Sequence, residues 1–408
     1  MTERRGIAAI GNSEDLLTWS GTPYYLLHAG LQETFLTCGL DLRIANLARL
    51  RAVWQASRLF HGERPRGFQY SAGFADLLGR RTLAECRKTG LQEIVSHYQA
   101  LPARYLIENA IKISFYIDAT LQDLFETQGA LSWLNRTVAE EAIDREIDNY
   151  SVAERVVTMS SWVRARLKSS YGVAEERIFT VLPGANLPER EVKSRLREIE
   201  SSTVIERFAR DRKLRIGFTG KDWQRKGLAR LLTGVDLLNR MDVPTELVVI
   251  GSIPRHYRSR SNVSAAGFID KSKDLGRFID TIASCDLGCA PSHEEPMGIA
   301  PLEYLRLGVP VVCTAAGGLI DICKAAGSAS MLLEKDASPE HIALAIEGLV
   351  KSPDSLRKMR ASAWERKEYF SWQRAVTELQ RVWESGTEFP SSHFRRNATS
   401  KTEIYQDA

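Results

Sequence analysis

The sequence predicts an α/β fold of two domains, each a parallel sheet flanked by helices. Three observations predict it. The chain has 408 residues, too many for one simple core. Short apolar runs alternate with helix-like stretches in both halves, and the short connections between them mean parallel sheets. Residues 187–211 carry many charges and few apolar runs, which places a domain boundary there. The expected units are a first domain at 1–190, a second at 212–364, and a polar tail at 384–408.

The elements follow in order. Gly6 to Ile10 reads as the first strand. Thr22 has the chemistry of an N-cap and Pro23 that of a first helical residue, so a helix is expected to run through Tyr24 to Phe35. Residues 50–110 read as helical without clear divisions. Lys112 to Ile117 is a strand ending at Asp118. Glu141 to Asn149 is helix-like, Arg155 to Met159 a strand, Ser160 to Ser170 a helix and Ile178 to Leu182 a strand. In the second half, strands are expected at 214–219, 246–250, 286–290, 310–313 and 329–333. Helices are expected at 228–240, 275–283, 300–307 and 338–350. Ligands of such sheets bind beyond the C-terminal ends of the strands, so the loops there hold the candidate sites.

Composition narrows the function classes. Hydrophobic content of 44% and charged content of 26% are those of a globular chain. Lys and Arg number 55 against 51 Asp and Glu, a net +4 too small to argue for nucleic acid or for general membrane attraction. Peripheral membrane contact is one option, but no clear amphipathic basic helix demands it. Cys38, Cys86, Cys285, Cys289, Cys313 and Cys323 form no CxxC pair and lie mostly in apolar runs. Buried reduced thiols and a cytoplasmic location are expected. The opening residues read as neither a secretory segment nor a membrane span. His61, His97, His256, His293 and His341 show no metal-binding spacing and no DxD pair is present, so no metal is expected.

Glu295 and Glu303 carry the strongest chemical signal. They flank a tight loop, Pro296-Met297-Gly298, and the start of a helix with Pro301 in its first turn. Backbone N–H groups at such a helix start attract phosphate, and a nearby carboxylate accepts hydrogen bonds from sugar hydroxyls. Phosphate and hydroxyls together describe a nucleotide sugar. The pair taken alone also reads as simple electrostatic capping of the helix. A second loop, Gly220-Lys221-Asp222-Trp223-Gln224-Arg225-Lys226-Gly227, lies between a strand and a helix. It is neither a Walker loop nor a GxGxxG turn, but it sets Arg225 and Lys226 where they can grip phosphate. Taken alone it also reads as a solvated turn.

The order of these pieces resembles the nucleotide-sugar half of retaining glycosyltransferases of family four, which have the GT-B fold. The resemblance rests on Cys285 to Ser292, Glu295 to Glu303, and Gly308-Val309-Pro310-Val311-Val312. It extends to Gly220 with Arg225-Lys226-Gly227, Leu247 to Gly251, Gly267-Phe268-Ile269 and Thr314 to Gly318. Ser160-Ser161-Trp162, Val181 to Asn186, and Phe370-Ser371-Trp372 match the run into the linker and the C-terminal helix. The match is good over about 150–383 and weak before that. It implies two Rossmann-like domains facing a cleft, with a C-terminal helix, about 365–383, crossing back to complete the first.

The resemblance also implies roles. Glu303 would bind the ribose hydroxyls and Glu295 would face the donor sugar, beside N–H groups of Met297, Gly298 and Ile299. Arg225 and Lys226 would stabilise charge developing on the diphosphate leaving group, the step that limits C–O cleavage, without a metal. Gly220, Gly251, Phe268 and Ile269 would line the nucleotide. In the first domain, Trp19-Ser20-Gly21 falls where the family has a glycine pair, here reduced to Gly21. Tyr24, Tyr25 and His28 follow on the helix, where packing is the simpler role. Asp118 occupies the position of a polar active-site residue, as transition-state stabiliser, acceptor guide or plain strand cap.

The expected activity is therefore transfer of a sugar, with retention, from a nucleoside-diphosphate sugar to a hydroxyl of a glycan or lipid-linked acceptor. The nucleotide sugar is a co-substrate and no cofactor is expected. The alternative is a non-catalytic nucleotide-sugar-binding accessory protein of the same fold. An epimerase lacks supporting acid/base residues, and a dehydrogenase lacks GxGxxG.

Overall fold

A computed structural model describes residues 4–127, 134–201 and 213–385. The first sheet contains β1 (Arg5–Ala8), β2 (Cys38–Gly39), β3 (Glu93–Ser96), β4 (Lys112–Ile117), β5 (Val156–Thr158) and β6 (Ile178–Thr180). The second contains β7 (Leu214–Gly220), β8 (Thr245–Gly251), β9 (Val263–Gly267), β10 (Leu287–Ala290), β11 (Val311–Thr314) and β12 (Ser330–Leu333). Strand orders are β2-β1-β3-β4-β5-β6 and β12-β11-β10-β7-β8-β9, and every pairing is parallel. In each sheet the order reverses beside the first strand, which opens a crevice at the strands' C-terminal ends.

Helices of the first half are α1 (Thr22–Gln32), α2 (Leu47–Phe60), α3 (Ala72–Thr89), α4 (Ala103–Glu108), α5 (Leu121–Thr127), α6 (Arg136–Val152) and α7 (Ser161–Ser170). Then come α8 (Glu189–Ser201), α9 (Leu228–Arg240), α10 (Arg255–Arg258), α11 (Leu275–Ala283), α12 (Ile299–Arg306), α13 (Leu319–Ala326), α14 (Pro339–Lys351), α15 (Pro353–Arg366) and α16 (Trp372–Ser385). Helices that pack on a sheet bury one face: α9 puts Leu228, Leu231, Leu232, Val235 and Leu238 against it, spaced as the helical period requires.

Several expectations needed correction. The first strand ends at Ala8 and the first helix at Gln32. Thr22 is helical and not the cap; Gly21, at φ 87°, takes the cap position. The unparsed 50–110 region holds α2, α3, α4 and strand β3, whose four residues are all buried and so show no alternation. Strands β2 and β9 and helices α13 and α15 were likewise unmarked. The boundary segment contains α8, and 202–212 lies outside the described residues, as do 386–408 of the polar tail.

The two halves share an apolar layer that includes Tyr25, Leu26, Met297, Tyr304 and Trp372. Helix α16 crosses back onto α1: Trp383 meets the Phe35 ring edge-on at 5.2 Å, and its Nε1 donates to Glu93 Oε1 at 2.7 Å. Arg306, 1% exposed, joins α12 to Glu189 of α8 at 2.6 Å and to Glu368 at 3.1 Å.

Candidate active site

A cleft of about 500 Å³ separates the C-terminal ends of the two sheets. Its second-domain wall includes Gly220, Arg225, Lys226, Gly251, Phe268, Ile269, Glu295, Met297, Gly298, Ile299 and Glu303. Asp118 faces them from the first domain. The structure thus brings together Asp118 and every residue expected to line the donor except Gly21, which is buried and out of the wall that Trp19 and Ser20 help to form.

The 220–227 loop is built by close packing. A Cβ on Gly251 would meet the Gly220 carbonyl at 2.0 Å, and one on Gly220 would meet Lys226 Cδ at 2.4 Å. Two glycines therefore let β7 and β8 end side by side with the Lys226 chain laid across them. Lys226 Nζ donates to Glu295 Oε2 at 2.6 Å, and Arg225 stands 3.6 Å from the same oxygen. The Arg225 guanidinium is fixed by donation to the Glu294 carbonyl at 2.6 Å. Burial opposes the charge on Glu295, yet Lys226 and Arg225 hold its carboxyl below the usual range. Glu295 also accepts from Ser292 Oγ and makes no helix cap: Gly298 occupies the cap of α12.

Glu303 lies 3% exposed on α12 and pairs with Lys271. Burial pushes its carboxyl up, while Lys271 pulls the other way. Sequence reading missed Lys271 because Asp270-Lys271-Ser272-Lys273-Asp274 has the composition of a solvated turn. It also missed Lys221, a fourth cation in the cleft wall beside Arg225, Lys226 and Lys271, whose ammonium stands 5.2 Å from the Phe268 ring centroid. Phe268 is 60% exposed, a large apolar surface open to the cleft.

In the first domain, Trp19 and Ser20 line the cleft with backbones at φ 49° and 57°, a region side chains enter at a cost of about 1–3 kcal/mol each. Asn186 holds the turn: its Nδ2 donates to the Ser20 carbonyl at 3.1 Å and to Thr22 Oγ1 at 2.9 Å. Trp19 and Ser20 thus take left-handed backbones beside Gly21, where the family has a glycine pair. Tyr25 is buried and lines the cleft, and burial together with Glu303 pushes its hydroxyl up. Tyr24 and His28 pack together on α1, ring centroids 4.2 Å apart.

Asp118 follows β4. Burial pushes its carboxyl up to about 6, backbone donors at Asp118 and Ala119 oppose that, and Glu295 adds to it from across the cleft. The turn after Asp118 is fastened from behind. The buried Glu146 accepts the Leu121 N–H and the hydroxyls of Tyr150 and Tyr171, and burial still lifts its carboxyl to about 8. His97 is a core residue, its Nδ1 donating to the Tyr116 carbonyl at 2.5 Å. His293 projects outward beside the loop. All six cysteines are free thiols, and Cys38 alone is only half-buried. Among the described residues no three His, Cys, Asp or Glu side chains converge to hold a metal ion.

Two parallel six-stranded sheets facing a cleft, with a terminal helix crossing back, define the GT-B class of glycosyltransferase fold. Residues 204–366 match the family model of glycosyl transferases group 1, and the chain's resemblance to that family stands on this match. D-inositol 3-phosphate glycosyltransferase 1 of Catenulispora acidiphila is 26% identical over 251 residues, 58% of this chain and 59% of that one. The match to a Rhodococcus erythropolis relative of similar name spans 55% of its length, so the chain spans less than two thirds of these curated relatives. Sucrose-phosphate synthase from Thermosynechococcus elongatus superposes with a TM-score of 0.67 at 15% identity, over 93% of this chain and 98% of that one. Anabaena HepE in complex with UDP-glucose gives 0.55 at 15% identity, over 76% and 82%. At such identities the structural likeness speaks to the fold.

Proposed function

We propose that the chain is a retaining glycosyltransferase of family four, taking a nucleoside-diphosphate sugar as donor and a hydroxyl of a glycan or lipid-linked molecule as acceptor. One observation carries the reading: Lys221, Arg225 and Lys226 converge on one wall of the cleft, with Glu303 on the same side and Asp118 opposite. The cations match a diphosphate, Glu303 matches a ribose diol, and Phe268 offers a face to a base. The Anabaena relative's complexes with UDP and UDP-glucose support this class of donor.

In this reading the diphosphate leaves against Arg225 and Lys226, whose fixed charges stabilise it without reorganisation. Resident cations in this position make a metal unnecessary. Glu295, held ionised, contacts the sugar hydroxyls. The acceptor attacks from the face the diphosphate leaves, which takes up its proton, and Asp118 orients the hydroxyl. Closing the domains excludes water. Surface polysaccharide or glycolipid synthesis in the cytoplasm is the setting that fits such acceptors; among the described residues no helix is long and apolar enough to cross a membrane.

The test is incubation with a panel of sugar nucleotides and hydroxyl acceptors, reading nucleoside diphosphate and glycoside by mass spectrometry. Turnover with one donor and retention at the anomeric carbon is the expected result; no turnover with any donor overturns it. The accessory reading draws on Trp19, whose bulk fills part of the first-domain wall. Thermal stabilisation by a nucleotide without any turnover would favour that reading.

A further inference from the structure

The two walls of the cleft differ in kind. The second-domain wall carries Lys221, Arg225, Lys226 and Lys271. The first-domain wall carries no cation among the described residues. Leu16, Leu17 and Trp19, from the loop after β1, and Leu124 of α5 line it, and Asp118 is its one charge. Leu16 packs against the apolar layer between the domains, and Trp19 and Leu124 pack against the first-domain core. Leu17 stands 72% exposed beside them. A single leucine open to water says little by itself. Here it continues an apolar patch inside a concave site, and apolar lining with a few convergent polar groups is how such a site holds a small molecule. Trp19 is also presented deliberately. Its backbone lies in the left-handed region at φ 49°, and Asn186 fastens the turn through the Ser20 carbonyl at 3.1 Å. Strain of this kind persists where surrounding bonds hold it, and it gathers at binding sites.

The charge of the wall excludes what its leucines do not select. A phosphate on the acceptor would meet Asp118 and apolar side chains, with no counter-charge on its own side of the cleft. Arg166 reaches α5, but Asp123 holds it at 2.8 Å and Glu126 at 3.2 Å. Taking a phosphate out of water without a partner is costly, and a facing carboxylate adds repulsion. An uncharged apolar group meets neither penalty, and it covers surface that the free protein leaves in water.

We propose that this wall seats an uncharged acceptor through an apolar group beside its reacting hydroxyl, and disfavours phosphorylated acceptors. The assignment rests on reading the cleft as that of a glycosyltransferase and narrows the acceptor within that reading. The apolar group covers Leu17 and the Trp19 indole, and Asp118 is left to the hydroxyl. Trp19 and Ser20 fall where the family has a glycine pair, so the wall departs from the family's pattern at the point that meets the acceptor.

The test is equilibrium binding to the full chain by titration calorimetry, with UDP present. Glucose, galactose, mannose and N-acetylglucosamine are each titrated as the free sugar, as the 6-phosphate, and as the octyl glycoside below its micelle concentration. In at least one set the octyl glycoside is expected to bind at least about tenfold tighter than the free sugar, and the 6-phosphate no tighter than the free sugar. L17S is expected to reduce the octyl preference several-fold with unchanged melting, because that side chain is exposed. No binding by any octyl glycoside, no octyl preference in any set, or tightest binding by a 6-phosphate overturns the proposal. An octyl preference that L17S leaves intact overturns it as well, since the alkyl group then sits elsewhere. Transfer is read separately, as nucleoside diphosphate released from a panel of sugar nucleotides. Octyl glycoside binding that L17S weakens, without turnover from any donor, overturns the transferase reading and leaves the subsite. Turnover confined to free or phosphorylated sugars overturns the subsite and leaves the transferase.

Discussion

Lys271 donates to the backbone carbonyl of Asn186 at 3.0 Å while its ammonium pairs with Glu303. One side chain thus ties the proposed ribose seat to the joint between the domains. Asn186 extends the tie: its Oδ1 accepts from Trp372 Nε1 at 3.1 Å, and its Nδ2 holds the Trp19–Gly21 turn. A ribose whose hydroxyls donate to Glu303 competes with Lys271, so occupancy of the site and contact between the domains are coupled.

Replacing Lys271 by Met leaves Glu303 buried without its counter-charge. Breaking such a pair costs about 3 kcal/mol, and the cost depends on pH. Burial already raises the Glu303 carboxyl, and losing Lys271 raises it further. The folded variant then holds a proton that the unfolded chain releases above the ordinary carboxylate range, so its stability falls as pH rises through that window. Urea unfolding at pH 8 and pH 5 should show a larger deficit at pH 8. An equal deficit at both would mean that Lys271 acts by packing alone.

Lys226 and Glu303 are expected to separate binding from transfer. K226A removes a cation from the leaving-group side and should lower kcat about 10²–10³-fold. Glu295 keeps Arg225 at 3.6 Å, so the fold survives. E303A should chiefly raise the donor KM, because a hydroxyl-to-carboxylate bond contributes about 1.5–3 kcal/mol to binding. Steady-state kinetics check both; a K226A enzyme with normal kcat removes Lys226 from the chemistry.

Asp118, with its carboxyl lifted to about 6, should give transfer a pH dependence there. If the ionised form orients the acceptor, the rate climbs with pH through about 6, and D118N loses both the rate and that limb. The same shift weakens the fold: between the ordinary carboxylate range and about 6 the native state holds a proton the unfolded chain has lost, so stability falls as pH rises. D118N escapes that loss and should melt no lower than the parent at pH 7. A lower melting temperature at pH 7 than the parent's would indicate a structural cap instead.

The second domain was legible because its chemistry is local. Arg225, Lys226, Glu295 and Glu303 each follow a strand or open a helix, where turn residues and apolar runs mark the position. Helices 228–240 and 275–283 were read to the residue for the same reason: each begins after a turn and buries a regular stripe. The first domain hid its parts. Strand β3 is buried on both faces and shows no period, and α2 has an apolar face turned to solvent, so its pattern gives no inward stripe. Lys271 was invisible because its partners lie 32 and 85 residues away in sequence. Trp19 and Ser20 defeated the glycine rule, since a tertiary bond from Asn186 stabilises backbones that their own preferences disfavour.

Gly184 closes the crossing of the C-terminal helix. A Cβ there would sit 2.4 Å from Trp372 N, 2.6 Å from its Cα and 2.7 Å from the Ser371 carbonyl carbon. All three are backbone atoms, so no side-chain rotation relieves the clash, and the start of α16 must move away from the 181–187 run. That movement breaks the Ala185 N–H bond to the Phe370 carbonyl at 2.8 Å and pulls the Trp372 indole from Asn186 at 3.1 Å. G184A is therefore expected to destabilise the protein by about 2–4 kcal/mol, the range of severe backbone and packing defects. The damage should be directional. The sheet cores on either side are untouched, so far-ultraviolet circular dichroism should keep its native shape at low temperature. Limited proteolysis should instead cut near 370, where the parent is protected. A variant that melts like the parent, with no new cleavage there, would show that α16 can shift without cost and that the crossing is not held at Gly184.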